Sequence, residues 1–515
     1  MTITFWLMIF CCFTSSTNSI DQIPSFASPT EERPARGNTC FCQLSGTVDD
    51  CNCEVQSVDT FNNYKIYPIL PTILPTDYFK YYKANLIKEC PFWSDSAKCK
   101  KEQCKVSPCK EEDVPCGLRN AKQNNSESKK ECACDKDDTQ CHSQCKENLG
   151  ASSSAYSREA NEKNVCSSEC IIETEEEERL GALDNSISDM SREAFESWQV
   201  HDDAKHDFCV PEDESSEHAE FYDLTINPER YTGYKGKAAH RIWNNIYKEN
   251  CFKPDPQTPG YENFLNSKSL GDPKYLAGLC LEKRVFYRLI SGLHSSINIH
   301  LCAKYLLAAG DGAFKQDVWG PNPKEFQRRF SPEKTGGEGP LRLKNLYFTY
   351  LVVLRAIAKA SPYFKQETFY TGVEARDVEV KNVVLKIAML AEKFPNHFNE
   401  SAMFTGKEAH NLKEEFRKHF WNISRIMDCV DCTKCRLWGK LQIQGLGTAL
   451  KILFSEKEIG KPGSSFMLKR HEIVALFNGF AALSYSVNQI EEFKKLTSKP
   501  TTGSKIPVSN MNGSW

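Results

Sequence analysis

The sequence predicts a mainly α-helical fold, a single helical-bundle core behind a cysteine-rich, disulfide-laced N-terminal layer. Three observations carry this. From about residue 188 onward, apolar residues recur at spacings of three and four, the period of a helix face. No run alternates apolar and polar residues as a half-buried strand does. Fifteen of the 24 cysteines fall between about residues 40 and 170, among many Lys, Glu, Ser and Asn residues.

The elements follow in chain order. Phe5-Trp6-Leu7-Met8-Ile9-Phe10-Cys11-Cys12-Phe13 is apolar and uncharged, and small polar residues run from Thr14 to Ser19. This reads as a signal peptide over residues 1–20; it is shorter than the roughly 20 apolar residues that a bilayer span takes. No other stretch is expected to span, since Leu346 to Ala358 is interrupted by Arg355. The mature chain is therefore expected to be soluble and lumenal or extracellular. Residues 21–187 form the cysteine-rich region; much of Cys109 to Cys170 lacks any period and reads as a disulfide-laced loop. The acidic run Thr174 to Arg179 reads as a solvated helix start.

Residues 188–497 form the helical core, with helices predicted over Ala238–Glu249, Tyr275–Leu307, Leu343–Ala360, Asp377–Lys393, Lys407–Met427, Leu437–Phe454 and Arg470–Leu496. Gly320-Pro321-Asn322-Pro323 and Gly336-Gly337-Glu338-Gly339-Pro340 separate some of them. Residues 498–515 form a flexible tail, and 21–497 are expected to fold as one structural domain.

Composition narrows the function. A cysteine density of this kind belongs to an oxidising compartment. Asn-x-Ser sequons at Asn124, Asn399, Asn422 and Asn512 are candidate glycan acceptors there. A chain of 515 residues can bury a large core and does not need disulfides merely to fold. Some of its cysteines are thus available for chemistry. Net charge is only −3 and no basic stripe is present, so nucleic-acid binding has no support.

Three cysteine groups stand out. Cys40-Phe41-Cys42 and Cys51-Asn52-Cys53 flank a short turn; nested bridges 40 to 53 and 42 to 51 are preferred over zinc, whose paired ligands more often lie two residues apart. Cys99 and Cys104 lie in Lys-rich, polar surroundings. Neighbouring positive charge raises the thiolate fraction that disulfide exchange requires, but a structural bridge fits the local pattern as well. Cys429, Cys432 and Cys435 precede a predicted helix. Cys432 and Cys435 form a C-x-x-C pair at its mouth, where unsatisfied N–H groups and partial positive charge favour a thiolate. Iron–sulfur and zinc ligation use similar gaps; both need thiols kept reduced, which an oxidising compartment opposes, so a redox pair leads and no metal is assigned.

Further stretches then join these: Cys40-Phe41-Cys42-Gln43, Glu89-Cys90-Pro91-Phe92-Trp93, Asn227-Pro228-Glu229-Arg230-Tyr231-Thr232-Gly233-Tyr234, Ser291-Gly292-Leu293-His294, and Arg425-Ile426-Met427-Asp428-Cys429 through Cys435-Arg436-Leu437-Trp438-Gly439. With them the sequence closely resembles the endoplasmic reticulum oxidoreductin family, flavin-dependent thiol oxidases of the ER lumen. The resemblance runs from Cys40 to about Leu496. It implies a bundle core holding FAD, with Cys99 and Cys104 as the outer pair on a mobile shuttle loop that oxidises a protein disulfide isomerase. Cys432 and Cys435 would be the inner pair, Cys435 nearer the flavin and Cys432 attacked by the shuttle thiol. Oxygen would be the final acceptor, giving hydrogen peroxide.

The resemblance further implies structural bridges Cys90 to Cys429 and Cys251 to Cys280. Cofactor contacts would come from Arg230, Thr232, Trp243, Ser291, His294, Arg329 and Arg342; forked, permanently charged guanidinium groups suit a pyrophosphate. It also implies peripheral association with the lumenal face of the ER membrane. Regulation by a disulfide to the first shuttle cysteine maps onto Cys166, with Cys170 a competitor, in a loop richer in cysteine than the family pattern. Asp431 stands where the family has glycine, and a carboxylate there is expected to raise the pKa of Cys432 or to point into water. A contrasting class, a cysteine-rich secreted binding protein with inert disulfides, predicts no yellow chromophore and no thiol-dependent oxygen uptake.

Overall fold

The structure, a computed structural model, describes residues 55–92, 106–115, 118, 208, 216–229, 242–243, 245–246, 280–307, 318–335, 337–394, 398–430, 432–461 and 463–498. Within them the chain is mainly α-helical. Short N-terminal helices α1 (Val55–Phe61), α2 (Leu70–Ile73) and α3 (Asp77–Lys80) lead into β1 (Tyr81–Ala84), which pairs antiparallel with β2 (Glu220–Asp223), Tyr81 opposite Asp223. Then follow α4 (Leu281–Ala303), the antiparallel ribbon β3 (Tyr305–Leu307) and β4 (Val318–Gly320), α5 (Pro323–Phe330), α6 (Pro332–Thr335) and α7 (Glu338–Lys359). The chain continues through α8 (Ser361–Phe364), α9 (Glu374–Lys393), α10 (Ala409–Ile426), α11 (Thr433–Phe454) and α12 (Arg470–Ser498).

The long helices lie within a few residues of the predicted segments, because their apolar period is long enough to override local noise. Three differences have local causes. The two ribbons escape a search for alternation because their strands hold only three or four residues. Helix α5 starts inside the Gly-Pro cluster: the Asn322 side chain accepts the Glu325 N–H at 3.1 Å, and Pro323 occupies the first turn, where its missing N–H costs nothing. Helix α7 likewise starts inside a Gly-rich cluster, entered through Gly337 at φ 89°, a left-handed conformation that glycine adopts without a Cβ clash.

α4 packs along α7, and α11 along α12; α12 also meets α4, α5 and α7. α11 is enclosed over nearly its whole length, and its buried polar side chains find partners, Lys440 in Asp428, Gln442 in Glu229 and Thr448 in the Gln444 carbonyl, as burial of polar groups requires. At two crossings the backbones approach so closely that a side chain is excluded. A Cβ on Gly292 would collide with Thr349 and the Asn345 carbonyl of α7, and one on Gly445 with the Ala475 carbonyl of α12. The 28 residues Arg470–Thr497 are long and apolar enough to cross a membrane by length and composition, which corrects the expectation that no stretch after the N-terminal apolar run qualifies. Their apolarity serves the core: 72% of the most apolar window is buried.

Candidate redox site

Cys432 is the N-cap of α11 and Cys435 lies in its first turn, so the helix starts inside the C-x-x-C motif and not after it. With extended backbone at Cys432, its sulfur accepts the Cys435 N–H at 3.4 Å. The helix N-terminus thus directs an orphan N–H and its partial positive charge at the first sulfur. Cys432 is 2% exposed and Cys435 fully buried. A folded protein substrate cannot reach such a pair directly.

Cys429 is bonded to Cys90, across 339 residues of sequence. That bond removes the third sulfur from any ligand run 429–432–435. Next to the pair, the Arg436 guanidinium donates to the carbonyls of Val430 at 2.8 Å, Lys88 at 3.1 Å and Leu86. The segment 86–90 is thereby pinned to the start of α11. Behind it, the Lys440 ammonium forms a buried ion pair with Asp428.

A second set of contacts climbs the same helix. Trp438 Nε1 donates to the Asn227 carbonyl at 3.0 Å, and one turn on, Gln442 Nε2 donates to Glu229 Oε1 at 3.0 Å. Glu229 Oε2 lies 3.1 Å from His300 Nδ1, and His300 Nε2 lies 2.9 Å from the Ala482 carbonyl. A carbonyl only accepts, so Nε2 carries a proton. Asn227 and Glu229 thus tie the segment just before Arg230 to α4, α11 and α12. Asn227, Glu229, Gln442 and His300 were not singled out by sequence reasoning. The first two sit inside a quoted motif, but their partners are more than seventy residues away.

The described cofactor contacts lie on α4, α5, α7 and the helical residues 242–243. Trp243 and His294 stack with ring centroids 3.7 Å apart and planes at 14°. One turn along α4 from His294, Asn298 accepts from Arg329 Nη1 at 2.8 Å, while Arg329 Nε donates to Glu325 at 2.7 Å. Arg342 Nη1 donates to the Arg329 carbonyl at 3.4 Å. Trp243, His294, Arg329 and Arg342 are therefore held by a few connected contacts around one end of α4. Ser291 is different. It is fully buried, and its hydroxyl accepts from Asn345 at 2.9 Å, so as placed it serves the α4–α7 interface and offers no surface to a ligand.

Cys280 is the N-cap of α4, with its sulfur beside Glu282 and Lys283; its expected partner, Cys251, lies outside the described residues. One further expectation is corrected. Asn422 is 4% exposed within α10, so its sequon is enclosed by helix packing, whereas Asn399 is exposed at the cap of a short 3-10 turn. Cys109 is a half-buried thiol pushed up to about 12 by burial and then by the charge of Asp223, which leaves almost no thiolate at neutral pH. Cys40, Cys42, Cys51, Cys53, Cys99, Cys104, Cys166, Cys170, Cys251, Arg230, Thr232, Asn124, Asn512 and Asp431 lie outside the described residues.

Comparison with known proteins is decisive. The family model of Endoplasmic Reticulum Oxidoreductin 1 (ERO1) matches residues 65–490. The chain belongs to the ERO1 family. ERO1-like protein alpha of Homo sapiens is 48% identical over 481 residues, covering 90% of this chain and 94% of that protein. The Ero1-like protein of Drosophila melanogaster is 47% identical over 470 residues, covering 88% and 90%. Among solved structures, a double-cysteine mutant of S. cerevisiae Ero1p superposes with a TM-score of 0.50 at 27% identity, covering 86% of this chain and 98% of that one. The mainly helical architecture is thus that of the ERO1 family, an oxidoreductase family of the endoplasmic reticulum.

Proposed function

We propose that this ERO1-family chain is a thiol oxidase that makes disulfides in a protein disulfide isomerase and passes the electrons, through two cysteine pairs and FAD, to oxygen. The observation that carries this reading is the buried Cys432/Cys435 pair at the head of α11, beside the Cys90–Cys429 bridge. With Cys429 already bonded, a thiolate metal site loses a ligand and dithiol exchange is the chemistry left. Burial of the pair calls for a relay, and the Cys90–Cys429 bridge holds the chain nine residues before Cys99 beside it.

The relay balances. A thiolate of the reduced isomerase attacks the Cys99–Cys104 disulfide; its second thiol resolves the mixed disulfide, leaving the isomerase oxidised and both shuttle cysteines as thiols. The Cys104 thiolate then attacks Cys432 and releases Cys435 as the leaving thiolate, which its place in the first turn of α11 stabilises. Cys99 resolves this second mixed disulfide, so the outer pair is a disulfide again and the inner pair is a dithiol.

The residues around α4 fit FAD by their donor chemistry: an aromatic pair for ring stacking and two guanidinium groups for a pyrophosphate. Trp243 and His294 would hold a ring, Arg329 and Arg342 the phosphates, with Arg230 and Thr232 joining them by family resemblance. When bound, FAD supplies a two-electron acceptor for the inner dithiol and a route to oxygen, yielding hydrogen peroxide. The Glu325 carboxylate keeps Arg329 oriented, and the Glu229–His300 contact fixes Glu229 against α4. We further place the protein in the ER lumen, peripheral on the lumenal membrane face, with Asn399 the favoured glycan acceptor among the described residues.

An oxygen electrode tests the core of this reading. The purified, yellow protein mixed with reduced isomerase is expected to consume oxygen, and Cys435→Ala to abolish uptake. Undiminished turnover in that variant refutes the inner-pair assignment. Cys99→Ala is expected to lose isomerase-driven uptake while keeping its flavin absorbance.

A further inference from the structure

Asn227 is 1% exposed and uses its whole carboxamide. Nδ2 donates to the carbonyls of Ser107 and Asp223, both at 3.0 Å, and Oδ1 accepts the Ser107 N–H at 2.9 Å. Its own carbonyl accepts from Trp438 of α11, three residues beyond Cys435. A buried amide that grips both backbone groups of an exposed residue on a distant segment is a clasp, and the residue it grips lies three positions after Cys104. The other root of the same segment is held by the Cys90–Cys429 bond to the turn just before the same helix, and by Arg436 to the helix itself. The next backbone anchor beyond Ser107 is Cys109, whose N–H donates to the Phe221 carbonyl at 2.7 Å.

We propose that Asn227 is a positioning residue of the disulfide relay: by clasping Ser107 it fixes, relative to the C-x-x-C helix, the point from which the shuttle cysteines are leashed. This rests on the assignment of Cys99 and Cys104 as the shuttle pair. The physical argument is one of reach. A chain spans at most about 3.3–3.6 Å per residue whatever path it takes, so Cys104 stays within about 10 Å of Ser107. Without the clasp the nearest anchor becomes Cys109, five residues away, and the limit grows to about 17 Å. The volume open to the Cys104 sulfur rises about two- to fivefold, from the −3/2-power scaling of a flexible linker to the cube of its extended reach, and its effective concentration at Cys432 falls in proportion.

The test uses the full-length, flavin-loaded protein with reduced protein disulfide isomerase as substrate. In Asn227→Ala, kcat is expected to fall about two- to fivefold while the KM for the isomerase, the flavin content and the absorbance spectrum stay as in the parent. Inserting Gly-Ser between Lys105 and Val106 of the parent lengthens the leash by the same two residues and is expected to give the same loss. In the Asn227→Ala background the insertion is expected to cost less than it does in the parent, about 1.7- to 2.7-fold, so the two effects do not multiply. An unchanged kcat in Asn227→Ala overturns the inference, as does loss of flavin or a multiplicative double variant; if Asn227→Ala fails to fold, a parent insertion without effect overturns it equally. Cys104→Ala separates the two levels of the argument: full turnover in that variant sinks the shuttle assignment itself.

Discussion

At the scale of single residues, Glu400 shows how a carboxylate is kept charged against its surroundings. Arg355 holds both of its oxygens, with Nε and Nη2 each at 2.8 Å. Burial by itself raises the Glu400 pKa, but the Arg355 fork outweighs it and the net shift is downward. A depressed carboxylate contributes stability that is fully present above the unfolded pKa, near 4.3, and is lost as pH falls through the folded value. Glu400→Gln is therefore expected to lower stability at pH 7 by about 1–2 kcal/mol, the pair being partly exposed. The deficit should shrink below about pH 4. Urea melts of parent and variant at pH 7 and at low pH measure it; a deficit independent of pH contradicts the assignment.

At the scale of elements, α11 is the pivot. Its N-terminus carries the inner cysteines, one face meets Asn227 and Glu229 through Trp438 and Gln442, and its middle crosses α12 at Gly445. Since a Cβ there meets the Ala475 carbonyl, Gly445→Ala must spread two helices that both border the site. The expected cost is about 1–3 kcal/mol, read as a lower denaturation midpoint. Gly406→Ala, where nothing lies within 4 Å of the added carbon, is expected to stay within about 0.5 kcal/mol. Equal midpoints for the two variants exclude the tight crossing. The periodicity of α11 was readable from Leu437 onward, but its true start at Thr433 was not. Cys-Thr-Lys-Cys has no apolar stripe, and the cap that begins the helix is a sulfur.

At the scale of the whole molecule, the Cys90–Cys429 bond ties the N-terminal layer to the redox helix across 339 residues. Cross-links over long loops restrain the unfolded chain most. Cys90→Ser is expected to lower stability by about 2–5 kcal/mol and to reduce isomerase-driven oxygen uptake more than it reduces flavin content. Turnover and denaturation midpoint both equal to the parent's argue that Arg436 alone suffices to hold the segment.

Much of this molecule was settled by its amino-acid order alone. The long helices follow from apolar spacing, and the family from motifs short enough to survive in one dimension. The Cys90–Cys429 bond, implied by the family resemblance, forms in the structure; only the tertiary structure decided that Asn422 is enclosed and that Asn227 reaches Ser107. Those outcomes depend on contacts between residues far apart in the chain. Local pattern carries periodicity and composition, whereas a pairing across many residues exists only once packing has brought its two halves together.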